Sequence, residues 1–252
     1  VLGTLLHDQT LITFMKMNDI SFDFSEKIVI VFGGSKGIGK EVCQQFMAAG
    51  AMVYCASRTE CDVDGVKNLL CDISKPSDIC SVFDQIEKVD FVINVAGTNL
   101  CETIEKINLN EWERVINVNL RSFFLICKQA VEVMRKTGGR IVNVSSIAGR
   151  SKSIVSGVHY TSSKYGIIGL TKQLANEVSK HNILVNCVCP SQTMTEMLEE
   201  SMSVEAIQQL EAKIPIRRIA STTEQAMPIL FLCSSAASYI TGAAIDINGG
   251  QL

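Results

Sequence analysis

No stretch of this sequence reaches the roughly 18 consecutive apolar residues that cross a bilayer, so no membrane contact is expected. A strong charge of either sign is also missing. With a net charge of −3 and 19% charged residues, the chain has no basic footprint for nucleic acid or for an anionic lipid surface. The opening stretch, VLGTLLHDQTLITFMKMND, lacks a basic n-region leading into an apolar core and a small-residue cleavage site, so a cytoplasmic location is expected. No internal repeat, low-complexity tract or Pro/Gly-rich linker divides the 252 residues, which are enough for one sizeable core. CxxC pairs are absent, although cysteines are not: there are ten. Most sit in apolar runs such as FLICK and LLCD and read as buried free thiols rather than a disulfide scaffold. Cys187 and Cys189 alternate in NILVNCVCP and would share a strand face. No His or Cys has a spacing that would complete a metal site with them, and no metal is expected.

What is present is an alternation of two patterns. KIVIVF (27–32), AMVYCAS (51–57), KNLLCD (67–72), VDFVINVAG (89–97), GRIVNVSS (139–146), NILVNCVCP (182–190) and AAIDING (243–249) read as strands. Amphipathic stretches over about 37–49, 76–87, 110–136, 160–180 and 222–234 read as helices. Val- and Ile-rich strands separated by helices predict a parallel sheet covered on both faces. The expected fold is α/β: a doubly wound, three-layer sheet of about seven strands in one domain, residues 25–252. Residues 1–24 precede it and are expected to be an extension, either flexible or upstream of a true start at Met15 or Met17.

The first strand runs into VFGGSKGIGK, where Gly33, Gly37 and Gly39 open a helix. Such a loop brings backbone N–H groups close to a pyrophosphate, and the helix N-terminus adds favourable charge. The second strand ends in Ser57 and Arg58 rather than the carboxylate that would accept from the ribose of NAD, and Lys36 lies in the loop. Two cations and a hydroxyl suit a 2′-phosphate, which favours NADP(H) over NAD(H). Further on, YTSSK sets Tyr160 and Lys164 one helical turn apart. A phenol of pKa about 10 is a poor proton carrier at neutral pH, and a neighbouring ammonium is expected to pull it down. Tyr160 would then act as general acid or base.

The spacing GxxxGxG, NVAG (94–97), Asn119 in NVNL, Ser146 in NVSS and YxxxK occur in the order seen in the short-chain dehydrogenase/reductase family, which the chain resembles over residues 26–250. It departs at Phe32, Val95, Ser191 and Asn248, where the family usually has Thr, Asn, Gly and Asp. It also has fourteen residues from Ser146 to Tyr160 where thirteen are usual.

The resemblance implies that Tyr160, Ser146, Lys164 and Asn119 are catalytic. Ser146 would hydrogen-bond the reacting oxygen, Lys164 would bind the nicotinamide ribose, and Asn119 would kink its helix and hold a relay water. Cofactor contacts would come from Gly33, Ser35, Lys36, Gly37, Ile38, Gly39, Ser57, Arg58, Asp72, Ile73, Asn94, Ala96, Gly97, Tyr160, Lys164, Pro190, Thr193 and Thr195. Asp72 would meet the adenine and Thr195 the pyrophosphate. The segment 58–72 is too short for the usual helix and should be a loop. Residues 196–215 would form a mobile helical lid. The helices at 110–136 and 160–180 would pair across subunits in a homotetramer, with a dimer as the second choice. The implied activity is hydride transfer between NADP(H) and a ketone or secondary alcohol, a small-molecule partner. Within it stand a 3-oxoacyl-carrier-protein reductase and a sugar or polyol dehydrogenase, the latter suggested by polar Ser151, Ser153, Ser156, Gln192 and Thr193. A catalytically silent dinucleotide-binding protein is disfavoured, because all four catalytic positions hold competent residues. His7, His159 and His181 are not needed and read as surface or packing residues; of these, His159 adjoins Tyr160 and is the candidate to line the substrate cleft.

Overall fold

The structure is a computed structural model that describes residues 20–153, 155–196, 198 and 203–252. Seven parallel strands form one sheet: β1 (Ile28–Phe32), β2 (Met52–Ser57), β3 (Lys67–Leu70), β4 (Phe91–Asn94), β5 (Gly139–Val144), β6 (Ile183–Pro190) and β7 (Ala244–Ile247), in the order β3-β2-β1-β4-β5-β6-β7. The helices are α1 (Gly37–Ala48), α2 (Pro76–Asp84), α3 (Leu109–Ile116), α4 (Ser122–Met134), α5 (Val158–Val178), α6 (Val204–Glu211) and α7 (Thr222–Cys233). The inner strands are apolar at consecutive positions because both faces are covered. Val29 and Val31 of β1 pack with Val42 and Phe46 of α1 and with Ile229 and Leu230 of α7 in one core. Ile30 and Phe32 face the other way, toward Ile79 and Phe83 of α2, Ile126 and Met134 of α4, and Ala175 and Val178 of α5. β3 and β7 are the edges, and both are more exposed.

The strand order reverses beside β1. The chain leaves β1 toward β2 on one side and β4 on the other, so the loops after β1 and β4 part and open a crevice at the C-terminal strand ends. Both loops are tied to the sheet: Val95 and Ala96 donate to Phe32 O, each at 2.9 Å, and Gly33 donates to Ala56 O at 2.9 Å. The long helix expected over 110–136 is broken. A π-helical turn, Asn117–Arg121, separates α3 from α4. Residues 58–66 form a loop without a helix.

Of the expected extension, residues 1–19 lie outside the described residues, and so does His7. Packing on the domain begins at the phenylalanines: Phe24 is buried, with ring centroids 5.1 Å from Phe46 and 5.3 Å from Phe91. The lid expected over 196–215 is described only in part, and α6 lies within it. No helix among the described residues is long and apolar enough to cross a membrane. All ten cysteines are free and eight are buried.

Candidate active site

The glycine loop connects β1 to α1. Lys36 occupies the N-cap of α1 in extended backbone, no side chain caps the helix, and no acidic residue stands in its first turn. Its leading N–H groups and positive dipole end therefore face the crevice. The loop closes on itself without room for side chains. A Cβ on Gly33 would lie 2.6 Å from the backbone of Ala96, and one on Gly39 would run into Gly33 O. Thr195 comes from the segment after β6, and its methyl sits 3.3 Å from where a Gly37 Cβ would be. This cradle of backbone donors fits the phosphates of a dinucleotide.

At the other end of the cradle, Ser57 is nearly buried and donates to Thr59 O, and Thr59 Oγ1 reaches Ser35 Oγ at 3.0 Å. Lys36 and Arg58 are both exposed. Asp72 accepts from Ser74 N at 3.0 Å and Ser74 Oγ at 2.8 Å, which holds its carboxyl below the usual range. Ile73 is buried beneath it. Pro190 ends β6, and Thr193 bridges to Ala220 with Oγ1 donating to Ser191 O at 3.0 Å. The Asn94 side chain is fully buried and donates to Asn143 Oδ1 at 2.7 Å, while Asn143 donates to Thr171 Oγ1 at 3.0 Å. Asn94 thus ties β4 to β5 and α5 under the site, because its side chain points into the core rather than the crevice.

The four catalytic candidates converge at the end of β5. Ser146 at the strand end lies close enough to the Tyr160 phenol for its hydroxyl to favour the phenolate. Lys164 lies one turn further along α5, with Nζ 5.5 Å from the Tyr160 ring centroid and donating to Val144 O at 3.0 Å. Asn119 sits in the π-helical turn, where its Oδ1 accepts from Thr98 N at 2.8 Å and its Nδ2 donates to Thr98 O at 2.8 Å. A Cβ on Gly97 would lie 3.5 Å from Asn119 Oδ1 and 3.7 Å from Lys164 Nζ, so Gly97 fronts both. Burial is the largest influence on each titrating group. It lowers Lys164 to about 8, because an ammonium loses hydration there. It raises Tyr160, with the Ser146 bond only partly opposing it. The direction at Tyr160 is opposite to the one expected from Lys164, because burial disfavours the phenolate.

Several supporting residues carry no motif. Ser145 Oγ donates to Lys164 O at 2.8 Å, and Ser163 Oγ donates to Tyr160 O at 2.6 Å while accepting from Asn119 at 3.2 Å. His159 is fully buried. Its Nδ1 accepts from Tyr160 N at 2.8 Å, and its Nε2 points toward Glu111 Oε1 at 3.9 Å. Glu111 in turn holds Arg114, whose guanidinium reaches Thr98 Oγ1 at 3.1 Å. The histidine beside Tyr160 is thus a packing residue that seats the first turn of α5. Its adjacency to Tyr160 was the only signal for it.

A family model described as Enoyl-(Acyl carrier protein) reductase matches residues 33–251. The 3-oxoacyl-(acyl-carrier-protein) reductase FabG of Aquifex aeolicus is 34% identical over 242 residues, spanning 89% of this chain and 97% of that protein. An acetoacetyl-CoA reductase of an Acinetobacter species is 32% identical over 244 residues, spanning 89% and 97%. Among solved structures, ligand-free aldohexose dehydrogenase of Thermoplasma acidophilum is similar with a TM-score of 0.85 at 29% identity, covering 90% of this chain and 94% of that one. Matches of this extent show that the chain belongs to the short-chain dehydrogenase/reductase family and is an NAD(P)-dependent oxidoreductase.

Proposed function

We propose that the chain is an NADP(H)-dependent carbonyl reductase whose proton passes through Tyr160, and that its substrates are 3-oxoacyl thioesters. The observation that carries the chemistry is the convergence of Ser146 and Lys164 on Tyr160, with Lys164 Nζ 5.5 Å from the Tyr160 ring centroid. A bound nicotinamide supplies the hydride, or accepts it in reverse. Tyr160 gives its proton to the carbonyl oxygen, and Ser146 donates a hydrogen bond to the same oxygen. Lys164 keeps a positive charge beside the phenol, and Asn119 fixes the Thr98 backbone at the crevice wall. Lys36 and Arg58 flank Ser57 and would meet a 2′-phosphate.

For the substrate, two relatives are named for 3-oxoacyl and acetoacetyl thioesters. The loops beside Tyr160 also expose Leu100, Ile104 and Val155, a rim suited to an acyl chain. These loops are stitched together by Asn99 Nδ2 on Val155 O at 3.1 Å and Gly157 N on Leu100 O at 3.1 Å. The polar Ser151, Ser153, Ser156 and Gln192, with the likeness to an aldohexose dehydrogenase, favour a sugar as the second reading. We further read the protein as cytoplasmic, since its buried free thiols suit a reducing compartment. We read it as a homotetramer, since Phe124 of α4 and Tyr165 of α5 stand half-exposed; a dimer is the alternative, and sedimentation separates the two.

The test follows NADPH absorbance with acetoacetyl-CoA, and NADP⁺ reduction with aldohexoses, each repeated with NADH or NAD⁺. Thioester reduction with NADPH is expected to dominate. Tyr160→Phe should lower kcat by about 10²–10⁴ with NADPH affinity kept. Wild-type turnover by Tyr160→Phe would overturn the mechanism, faster aldohexose oxidation the substrate, and a preference for NADH the cofactor.

A further inference from the structure

Beneath the glycine loop, outside the catalytic constellation, three cysteines from three elements meet. Cys43 belongs to α1, Cys55 to β2, and Cys61 to the loop that follows β2. Their sulfur atoms all lie within 4.8 Å of one another, and all three residues are buried. The two sulfurs nearest the loop sit directly against Gly34: a Cβ there would lie 2.6 Å from Cys43 Sγ and 2.9 Å from Cys55 Sγ. Cys61 is held in place from both sides of its backbone, its N–H donating to Asn68 Oδ1 at 2.8 Å and its carbonyl accepting from Asn68 Nδ2 at 3.0 Å. Next to it, Asp62 pairs with Lys40 of α1 at 2.7 Å. The loop that carries the third thiol is therefore tied to both neighbouring elements.

We propose that Cys43, Cys55 and Cys61 form a binding site for a soft, thiophilic d¹⁰ metal ion under the phosphate loop. Thiolates at about 2.3 Å from such an ion stand about 3.8–4.0 Å apart, so the three sulfurs need to close by less than about 1 Å. Among the described residues, no fourth His, Cys, Asp or Glu completes the group, which matches ions that accept three sulfur ligands rather than those that require oxygen. Binding of a divalent ion releases three protons and leaves a net charge of −1 where three neutral thiols stood.

That charge would lie against Gly34 and beside Ser57, whose Oγ is 3.5 Å from Cys55 Sγ. It opposes the cofactor phosphates, so metal and NADP(H) weaken each other by the same factor. This coupling rests on the cofactor reading above; the metal site does not.

The experiment titrates the reduced full chain with Cd²⁺ and follows sulfur-to-cadmium charge-transfer absorption, proton release and the number of thiols protected from a disulfide reagent. One equivalent should protect three thiols and release three protons. Cys61→Ser, the most conservative replacement of the thiol in the loop, should weaken binding at least tenfold, while Cys187→Ala/Cys189→Ala should leave it unchanged. No charge-transfer band in wild type, equal binding by Cys61→Ser, or loss of binding only in the Cys187/Cys189 variant would overturn the site. With Cd²⁺ bound, NADPH affinity should fall several-fold in wild type but not in Cys61→Ser. An unchanged affinity overturns the coupling, whereas failure to bind NADPH without cadmium strikes the cofactor reading and leaves the site standing.

Discussion

Replacing Lys164 with methionine is expected to stabilise the protein while stopping its chemistry. The ammonium is buried against Val144 O, and burial lowers its pKa from 10.5 to about 8. That drop corresponds to about 3 kcal/mol by which the folded state disfavours the charge. Methionine has a similar shape and no charge to desolvate. Against the gain stand the lost bond to Val144 O and the contacts of Nζ with the rings of Phe123 and Tyr160, at 5.8 and 5.5 Å from their centroids. These return about 1 kcal/mol. The net expectation at pH 7 is about 2 kcal/mol of added stability, or about 4–8 °C in Tm for a domain of this size. The sign with pH is fixed by linkage. Below about 8 both folded and unfolded wild type carry the proton, and the whole cost is present. Between there and the unfolded value the folded protein holds fewer protons, so wild type gains on the variant as pH rises. Urea unfolding at pH 7 and pH 10 measures both points. A variant that is less stable than wild type at pH 7, or whose advantage does not shrink at pH 10, would refute the view that desolvation dominates at Lys164.

Other expectations follow from the same geometry. Asn119→Ala removes both partners of the Thr98 backbone and should cost on the order of 3 kcal/mol, seen as a lower urea midpoint with an unchanged m-value. Gly39→Ala forces a methyl into Gly33 O, so NADPH binding followed by fluorescence should be lost; wild-type affinity would show that the loop has slack. Ketone reduction needs Tyr160 protonated and Lys164 charged, so its kcat/KM should decline as pH rises through about 8. Alcohol oxidation needs the phenol to give up its proton, which burial resists, and should instead climb with pH. A reduction profile flat to pH 10 would count against Lys164 as the controlling charge.

The strands were legible because burial on both faces leaves consecutive Val and Ile, as in Ile28–Phe32 and Ile183–Pro190. The cradle was legible because close backbone approach leaves only glycine, and the signal is local in the chain. The π-helical turn was legible only through the resemblance, which implied a kink at Asn119, and not through periodicity, since NVNL keeps an unbroken helical pattern and Asn119 reaches Thr98, 21 positions away. The rise at Tyr160 was missed for a related reason. Spacing shows that Lys164 is a neighbour, but it does not show how much water both have lost. The thiol cluster had no linear signature at all, because its sulfurs come together only when α1, β2 and the following loop pack.

The helix α5 joins these observations. Its inward face carries Tyr160, Ser163, Lys164 and Thr171 among Ile167, Ile168, Ala175 and Val178, polar groups where an apolar stripe would suffice for folding. A buried polar group is costly unless bonded, and these are bonded one by one: Ser163 to Tyr160 O and Asn119, Thr171 to Asn143, and the Lys164 carbonyl to Ser145. Apart from the bond within the helix, these reach β5 with the residue after it and the π-helical turn, so the helix is fixed in rotation and height against both. Such fixing matters only if a side chain on that face must stay within a fraction of an ångström of something else. The incomplete member is Lys164, an ammonium with three donors and one acceptor at Val144 O. Its unmet donors stand where Gly97 opens the crevice. Apart from His159 Nε2, which is buried without a hydrogen-bond partner, the polar groups of this face are bonded where they meet the protein, and the spare donors of Lys164 stand where a ligand enters.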